Sequence, residues 1–374
     1  MRSIATSPSY SPKALKLTTP EAEAEGGFPK GQLYDPTWLR ATRGDSFARH
    51  ATPSAITSRT TVNLKLCLPA ELQASSTTIT KVAAGLSGAG VYRVDANGPA
   101  YALKISDEIE PVERWRGTLH IQQMAANAGL SPRIVHLDEA RRAVLTTFVV
   151  DQSFPAQLFN PATRDAALAQ LGETLRRVHD LPLDGVEAGR DPRDFLREVT
   201  RRMDVGFVVP PFVADAIQWG LTHEPPPRDR AEVLSHNDVN PSNMLFDGKH
   251  IMLVDWEQAG RNDPYYDLAA TSLFFRMDAE TCRRLIELHD GAPLAGLTPR
   301  FLYVRRFMAT LIGAMFMRLA RMNGHGGAPA STTPDSAMSM ADFYLAMREG
   351  KLSVATGDGQ LAFGMALIKE SVAL

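Results

Sequence analysis

The 374-residue chain predicts an α+β fold in two lobes, a small antiparallel-sheet lobe followed by a larger helical one. Three observations carry this. Short β-type runs separated by turn residues fill residues 77–105, whereas helical apolar spacing dominates from residue 165 onward. The length and a 44% apolar share suffice to build two cores.

Residues 1–60 are rich in Ser, Thr and Pro and show no sustained apolar periodicity, so they are expected to form a mostly disordered extension. No secretory apolar core stands in this stretch, and although residues 1–20 lack acids, Glu21, Glu23 and Glu25 follow at once and argue against a transit peptide. The sheet lobe is expected over 61–150. Runs at Thr77 to Val82, Val91 to Val94 and Tyr101 to Ile105, with Asn97-Gly98 as one turn, predict an antiparallel meander. A helix is expected around Leu119 to Ala128, stopped by Gly129, and two further strands at Arg133 to His136 and Ala143 to Val150.

The helical lobe is expected over 151–374. Leu168, Leu171, Leu175 and Val178 make an amphipathic helix ending near His179, a histidine expected to pack or cap. Proline clusters at Val209-Pro210-Pro211 and Glu224-Pro225-Pro226-Pro227 bracket a helix over Ala214 to Leu221. Helices are expected at Leu268 to Phe275, Ala279 to His289, Pro299 to Asn323 and Ala337 to Met347, with a flexible break over Gly324 to Pro334. Gln360 to Leu374 is a candidate docking helix. The apolar run Phe307 to Met317 reaches only about half the length needed to cross a bilayer, so it reads as buried helix.

A net charge of −2 gives no basic footprint for nucleic acid. Cys67 and Cys282 are the only cysteines, which excludes a disulfide framework and a thiolate zinc site and favours a reducing, cytoplasmic compartment. No membrane or nucleic-acid partner is expected, only a small-molecule alcohol.

Chemistry concentrates in Leu234-Ser235-His236-Asn237-Asp238-Val239-Asn240-Pro241-Ser242-Asn243 and in Ile251-Met252-Leu253-Val254-Asp255. An acid and an amide share a turn-rich loop, and a second acid ends an apolar strand. Phosphoryl transfer needs that set: one carboxylate to orient and deprotonate an alcohol, and an amide oxygen with a second carboxylate to hold Mg²⁺ on a nucleotide. Asp238 taken alone would read as a turn carboxylate. His236 lacks a second nearby His or Cys set, so it reads as a brace rather than a zinc ligand. Upstream, the turn Gly85-Leu86-Ser87-Gly88-Ala89-Gly90 lets backbone amides approach phosphates, and Lys104 lies one strand further on.

His236-x-Asp238-x-x-x-x-Asn243 together with Asp255 resembles the aminoglycoside phosphotransferase and choline kinase superfamily, which is similar in fold to protein kinases. The run Asp255-Trp256-Glu257-Gln258-Ala259-Gly260, then Asn262-Asp263-Pro264 and Asp267-Leu268-Ala269, is similar to the choline and ethanolamine kinase branch. Protein kinases fit worse, because Arg is absent at Asn237, Phe-Gly does not follow Asp255 and no Ala-Pro-Glu segment appears. The resemblance implies a protein-kinase-like fold that uses ATP and Mg²⁺. It implies Asp238 as catalytic base, Asn243 and Asp255 as metal ligands, and Lys104 with the amides of Ser87, Gly88, Ala89 and Gly90 on the nucleotide phosphates. Backbone groups from Phe148 to Val150 would meet the adenine, and Asp267 would tie the catalytic loop to the next helix. The glutamate that pairs with the strand lysine in this family is missing before Pro132; His120 or Gln122 stands nearest and Glu113 is earlier.

For the acceptor, Glu257 and Asp263 with Trp256 and Tyr303 predict a small cationic amino alcohol, because acids and aromatic faces together suit an ammonium group. Gln258 stands where choline kinases carry an aromatic, which favours a hydrogen-bonding primary amine or another polar alcohol over a quaternary ammonium. The alternatives are an aminoglycoside acceptor, which would call for a larger acidic surface, and a nucleotide-binding pseudokinase, against which the presence of both acids, the amide and the lysine argues.

Overall fold

The expected meander is present. In the computed structural model, which describes residues 63–82, 90–96, 98–106, 110–203 and 206–373, β1 (Thr78–Lys81), β2 (Gly90–Asp95) and β3 (Ala100–Ile105) pair in sequence. β4 (Ile134–Asp138) and β5 (Ala143–Thr147) complete a five-stranded antiparallel sheet in the order β1-β2-β3-β5-β4. The extension over 1–60 and Ser87, Gly88 and Ala89 lie outside the described residues.

Strand alternation assigns the faces of this sheet. Val94, Leu103, Ala143 and Leu145 pack with Cys67 and Leu68 into a small core, so Lys104, next to Leu103, leaves from the opposite face. Helix α1 (Val112–Asn127) starts earlier than its apolar spacing implied and stops at Gly129, whose φ of +71° makes glycine the natural terminator. It packs against the turn Trp256–Gln258 of the second lobe.

The second lobe is helical: α2 (Phe154–Phe159), α3 (Arg164–His179), α4 (Pro192–Arg201), α5 (Pro211–Thr222), α6 (Tyr265–Phe274), α7 (Ala279–Asp290), α8 (Pro299–Met322), α9 (Met340–Arg348) and α10 (Gly357–Ala373). Prolines at the first turn of α4, α5 and α8 suit positions that have no intrahelical donor to lose. Asp191 caps α4 by accepting from the amides of Arg193 and Asp194, and Asp278 does the same for Thr281 in α7. No helix among the described residues is long and apolar enough to cross a membrane. Cys67 and Cys282 are buried, free thiols.

The docking helix finds its partner in α8, against which α10 lies along much of its length. Two glycines permit the crossing. A Cβ on Gly313 would stand 2.7 Å from the carbonyl oxygen of Gly364, and a Cβ on Gly364 would stand 2.6 Å from that of Gly313. The break expected over 324–334 is partly anchored instead: the Val208 amide donates to Gly326 O and the Ala328 amide to Val208 O, a bridge between distant loops.

Candidate active site

Two small ribbons frame the loop that carries Asp238. β6 (Val233–Ser235) pairs with β9 (Gly260–Asn262), and β7 (Met244–Phe246) pairs with β8 (Ile251–Leu253), so the loop between β6 and β7 is clamped at both ends. Gly260 is required there because a Cβ would meet the backbone of Gly189 at 2.8 Å. The loop itself turns through Asn237, which sits at φ +61°, and the strand acid Asp255 sits at φ +67° and ψ +61°. Asn and Asp tolerate this left-handed region better than other residues with side chains, and such conformations persist where surrounding bonds hold them.

Those bonds are visible around Asn237. Its side chain donates to Gln258 O at 3.0 Å and accepts from Asn262 Nδ2 at 2.8 Å. Its amide donates to Asp267 Oδ1 at 2.8 Å, and the His236 amide donates to Asp267 Oδ2 at 2.7 Å. Asp267 therefore ties the loop to α6. His236 is the expected brace: its ring is buried, lies 4.6 Å from the Trp256 ring and places Nε2 3.1 Å from Val254 O. Desolvation holds this histidine below its ordinary pKa, which suits a structural, neutral ring.

Asp238 accepts from Asn240 Nδ2 at 3.0 Å and from Asn243 Nδ2 at 2.8 Å. Both bonds favour the carboxylate, yet desolvation, aided by the charge on Asp255, pushes its pKa up to about 7. A carboxyl poised there can take a proton near neutral pH. With Asn243 Nδ2 turned toward Asp238, its amide oxygen remains as an acceptor. Together with the Asp255 carboxylate it makes the hard oxygen donor set that Mg²⁺ takes, so the residues present fit that ion.

Lys104 reaches across from β3. Its Nζ lies 2.7 Å from Asp255 Oδ1 and 2.6 Å from Glu257 Oε1. Burial opposes its charge, but the two carboxylates outweigh that and hold its pKa above the ordinary value. Glu257 thus occupies the role for which no helix acid stood out in the sequence. It is drawn to the lysine rather than free for an acceptor, which corrects the substrate role expected of it.

Two more acceptor residues are corrected. Asp263 is buried, 2.8 Å from Arg300 Nε, and also accepts from the Tyr265 amide, so its charge is spent inside the protein. Trp256 is 2% exposed and donates its indole N–H to Leu253 O, which makes it core. Tyr303 remains partly exposed within an aromatic cluster with Trp219 and Phe307, and Phe307 in turn meets Tyr266. That cluster already carries guanidinium groups: Arg306 lies 4.1 Å over Trp219, and Arg193 is 3.3 Å from the Tyr303 hydroxyl.

The remaining nucleotide-side residues divide. Gly90 opens β2 opposite Ile105, one residue from Lys104. The Phe148 amide donates to Ala100 O at 3.1 Å, so the sheet uses it and only its carbonyl is left for a base. Val150, 69% exposed, stands open between the last sheet strand and α2.

The comparisons with known proteins agree with this architecture. A sequence model described as the phosphotransferase enzyme family matches residues 78–298. The structure of a choline/ethanolamine kinase family protein from Mesorhizobium loti is similar with a TM-score of 0.50 and 19% identity, over 78% of this chain and 92% of that one. Macrolide 2'-phosphotransferase type I is similar with a TM-score of 0.50 and 18% identity, over 74% and 90% of the two chains. A spectinomycin phosphotransferase, solved with ADP and spectinomycin, gives a TM-score of 0.50 and 12% identity over 79% and 93%. Identities this low speak for a shared fold. Protein LicA of Haemophilus influenzae is 35% identical over 54 residues, which is 14% of this chain and 20% of LicA, so the match spans a fifth of that relative.

Proposed function

The chain belongs to the phosphotransferase enzyme family, and on that premise we propose that it transfers the γ-phosphate of ATP to a hydroxyl of a small polar alcohol. The observation that carries this reading is Asp238, held by Asn240 and Asn243 with its pKa near 7, in a loop whose companion acid Asp255 meets Lys104 from the other lobe. Asp238 orients the acceptor hydroxyl and takes its proton as the hydroxyl oxygen bonds to the γ-phosphorus and the bond from that phosphorus to the β-phosphate oxygen breaks, releasing ADP. Asn243 and Asp255 would hold Mg²⁺, which would offset phosphate charge. Lys104 fixes the nucleotide phosphates, with Glu257 holding its ammonium. Gly90, at the start of β2, turns its backbone amide to the phosphates, and the Phe148 carbonyl and Val150 border the adenine.

The ion pairs of Glu257 with Lys104 and of Asp263 with Arg300 bear on the acceptor. A choline-like quaternary cation would need a free carboxylate or an open aromatic cage, and here the acids are neutralised and the aromatic cluster is flanked by Arg193 and Arg306. A neutral polyol, or a primary ammonium that can donate hydrogen bonds where a quaternary one cannot, fits better. The test is ATP-dependent phosphorylation of choline, ethanolamine, thiamine, a simple sugar and kanamycin in parallel. Turnover of ethanolamine or the sugar above choline is expected. Preference for choline, or turnover of kanamycin alone, would overturn the acceptor reading, and absence of both ATP binding and transfer would overturn the whole.

A further inference from the structure

Beneath the catalytic loop runs a line of titratable groups that the transfer step does not use, buried at Asp267, His179 and His289 and reaching solvent at Asp290. His179, at the end of α3, points Nε2 at Asp267 Oδ2 (3.1 Å) and Nδ1 at His289 Nε2 (2.7 Å). His289, near the end of α7, points Nδ1 at Asp290 Oδ1 (2.8 Å). Asp290 is held by Arg230, whose Nη2 is 2.6 Å from Oδ2 and whose Nε is 2.9 Å from the Tyr265 hydroxyl. At its inner end Asp267 accepts the amides of His236 and Asn237. The line therefore reaches from Arg230 and Asp290 to the two residues that precede Asp238.

Counting protons along it gives a definite charge. Three contacts separate the two carboxylates, namely Asp267 to His179, His179 to His289, and His289 to Asp290, and each needs one hydrogen between two lone-pair acceptors. Two neutral imidazoles supply only two hydrogens, so three contacts call for one imidazolium shared by the pair. Burial, together with the neighbouring His179, holds His289 below its ordinary pKa despite Asp290. The groups facing the pair are Asp267 and Tyr265 from α6, Asp290 from α7, and Arg230 and Asp229 from the segment before β6, with His236 on the far side of Asp267.

We infer that His289 is a positioning residue for phosphoryl transfer: with His179 it carries a single shared charge between Asp290 and Asp267, and so keeps Asp267 an ionised double acceptor for the loop amides of His236 and Asn237. A fully buried carboxylate remains ionised only when paired and hydrogen-bonded. If the pair loses its proton, Asp267 must either stand uncompensated or protonate and give up one amide. Either change relaxes Asn237 from its left-handed conformation and moves Asp238. Displacements of about 1 Å in such a group cost on the order of 10²-fold in rate.

The inference rests on the transfer reading for its kinetic consequence, and its test has an arm that does not. His289→Phe keeps a ring and removes both hydrogen bonds. It is expected to lower kcat by about 10- to 100-fold with KM for ATP within twofold of wild type, and to speed hydrogen exchange at the His236 and Asn237 amides. His289→Gln accepts from His179 through its amide oxygen and donates to Asp290 through its amide nitrogen, so three contacts and one imidazolium are kept. It is expected to restore most of kcat and wild-type exchange at the His236 and Asn237 amides. Unchanged amide exchange in His289→Phe, or no recovery of kcat and exchange in His289→Gln, would overturn the inference. Absence of transfer in wild type with faster exchange in His289→Phe would instead count against the transfer reading alone.

Discussion

The cleft and the bed beneath it use similar chemical groups in opposite ways. In the cleft, Lys104, Asp255 and Glu257 are each about a quarter exposed, and the lysine divides itself between two acids. In the bed, His179 and Asp267 are almost wholly buried, and Asp267 is engaged by a ring and two amides. Exposed pairs are weak and exchange partners readily, whereas buried charges tolerate no loss of a partner. The cleft is built to be rearranged by a nucleotide and a metal, and the bed is built to stay as it is.

Substitutions at the two places should separate those roles. Removing the acid assigned to the metal has the largest expected effect: Asp255→Ala loses Mg²⁺-dependent ATP binding, because a carboxylate must offset the metal's charge. Calorimetry that returns wild-type Mg-ATP affinity would remove Asp255 from the site. In the bed, Asp267→Asn leaves the charge shared by the histidine pair unanswered and one loop amide without an acceptor. It should cost about 3 to 5 kcal/mol of stability, read as a lower urea midpoint at unchanged slope; a midpoint equal to wild type would erase the distinction between cleft and bed.

Smaller effects sharpen the comparison. Glu257→Gln should raise KM for ATP by about tenfold, the loss of roughly 1.4 kcal/mol from one charge-assisted contact, while the folded protein stays as stable as wild type. If Lys104→Met is introduced first, the Glu257 change should have no further effect on KM, since the lysine is its ion-pair partner; additive losses would mean that Glu257 acts on something else. The mildest effect concerns pH. Because the Asp238 pKa is raised to about 7, the carboxyl is protonated below that value and cannot accept a proton, so kcat should fall as pH drops through 7 and level off above it. Saturating Mg²⁺ offsets the Asp255 charge and should move this limb to lower pH; a limb that ignores Mg²⁺ would assign it to another group.

Much of this was legible before any coordinates, and the rest fails for a common reason. The strand runs, the periodic helices and the order Lys104, Asp238, Asn243, Asp255 are local patterns, and sequence reading recovers local patterns. Helix α4 was missed because it buries only Leu196 and Val199 among charged residues, and α2 because six residues do not establish a period. The erroneous acceptor roles have a tertiary origin. Glu257 meets a lysine from another lobe, Asp263 meets Arg300 across an intervening helix pair, and Trp256 fills the space behind His236. Nothing in the letters distinguishes an acid that faces a ligand from one already answered by a distant arginine. The same limit hid the His179 and His289 pair, whose partners lie on three separate helices.

The central claim is that Asp238 performs the transfer while a separate set of residues holds the nucleotide, and the most direct measurement is paired: phosphate transfer from ATP and Mg-ATP affinity in wild type and Asp238→Asn under one buffer. The account predicts an affinity within about twofold of wild type and transfer reduced about 10²- to 10⁴-fold, the usual consequence of removing a positioned base. Undiminished transfer in Asp238→Asn would contradict it.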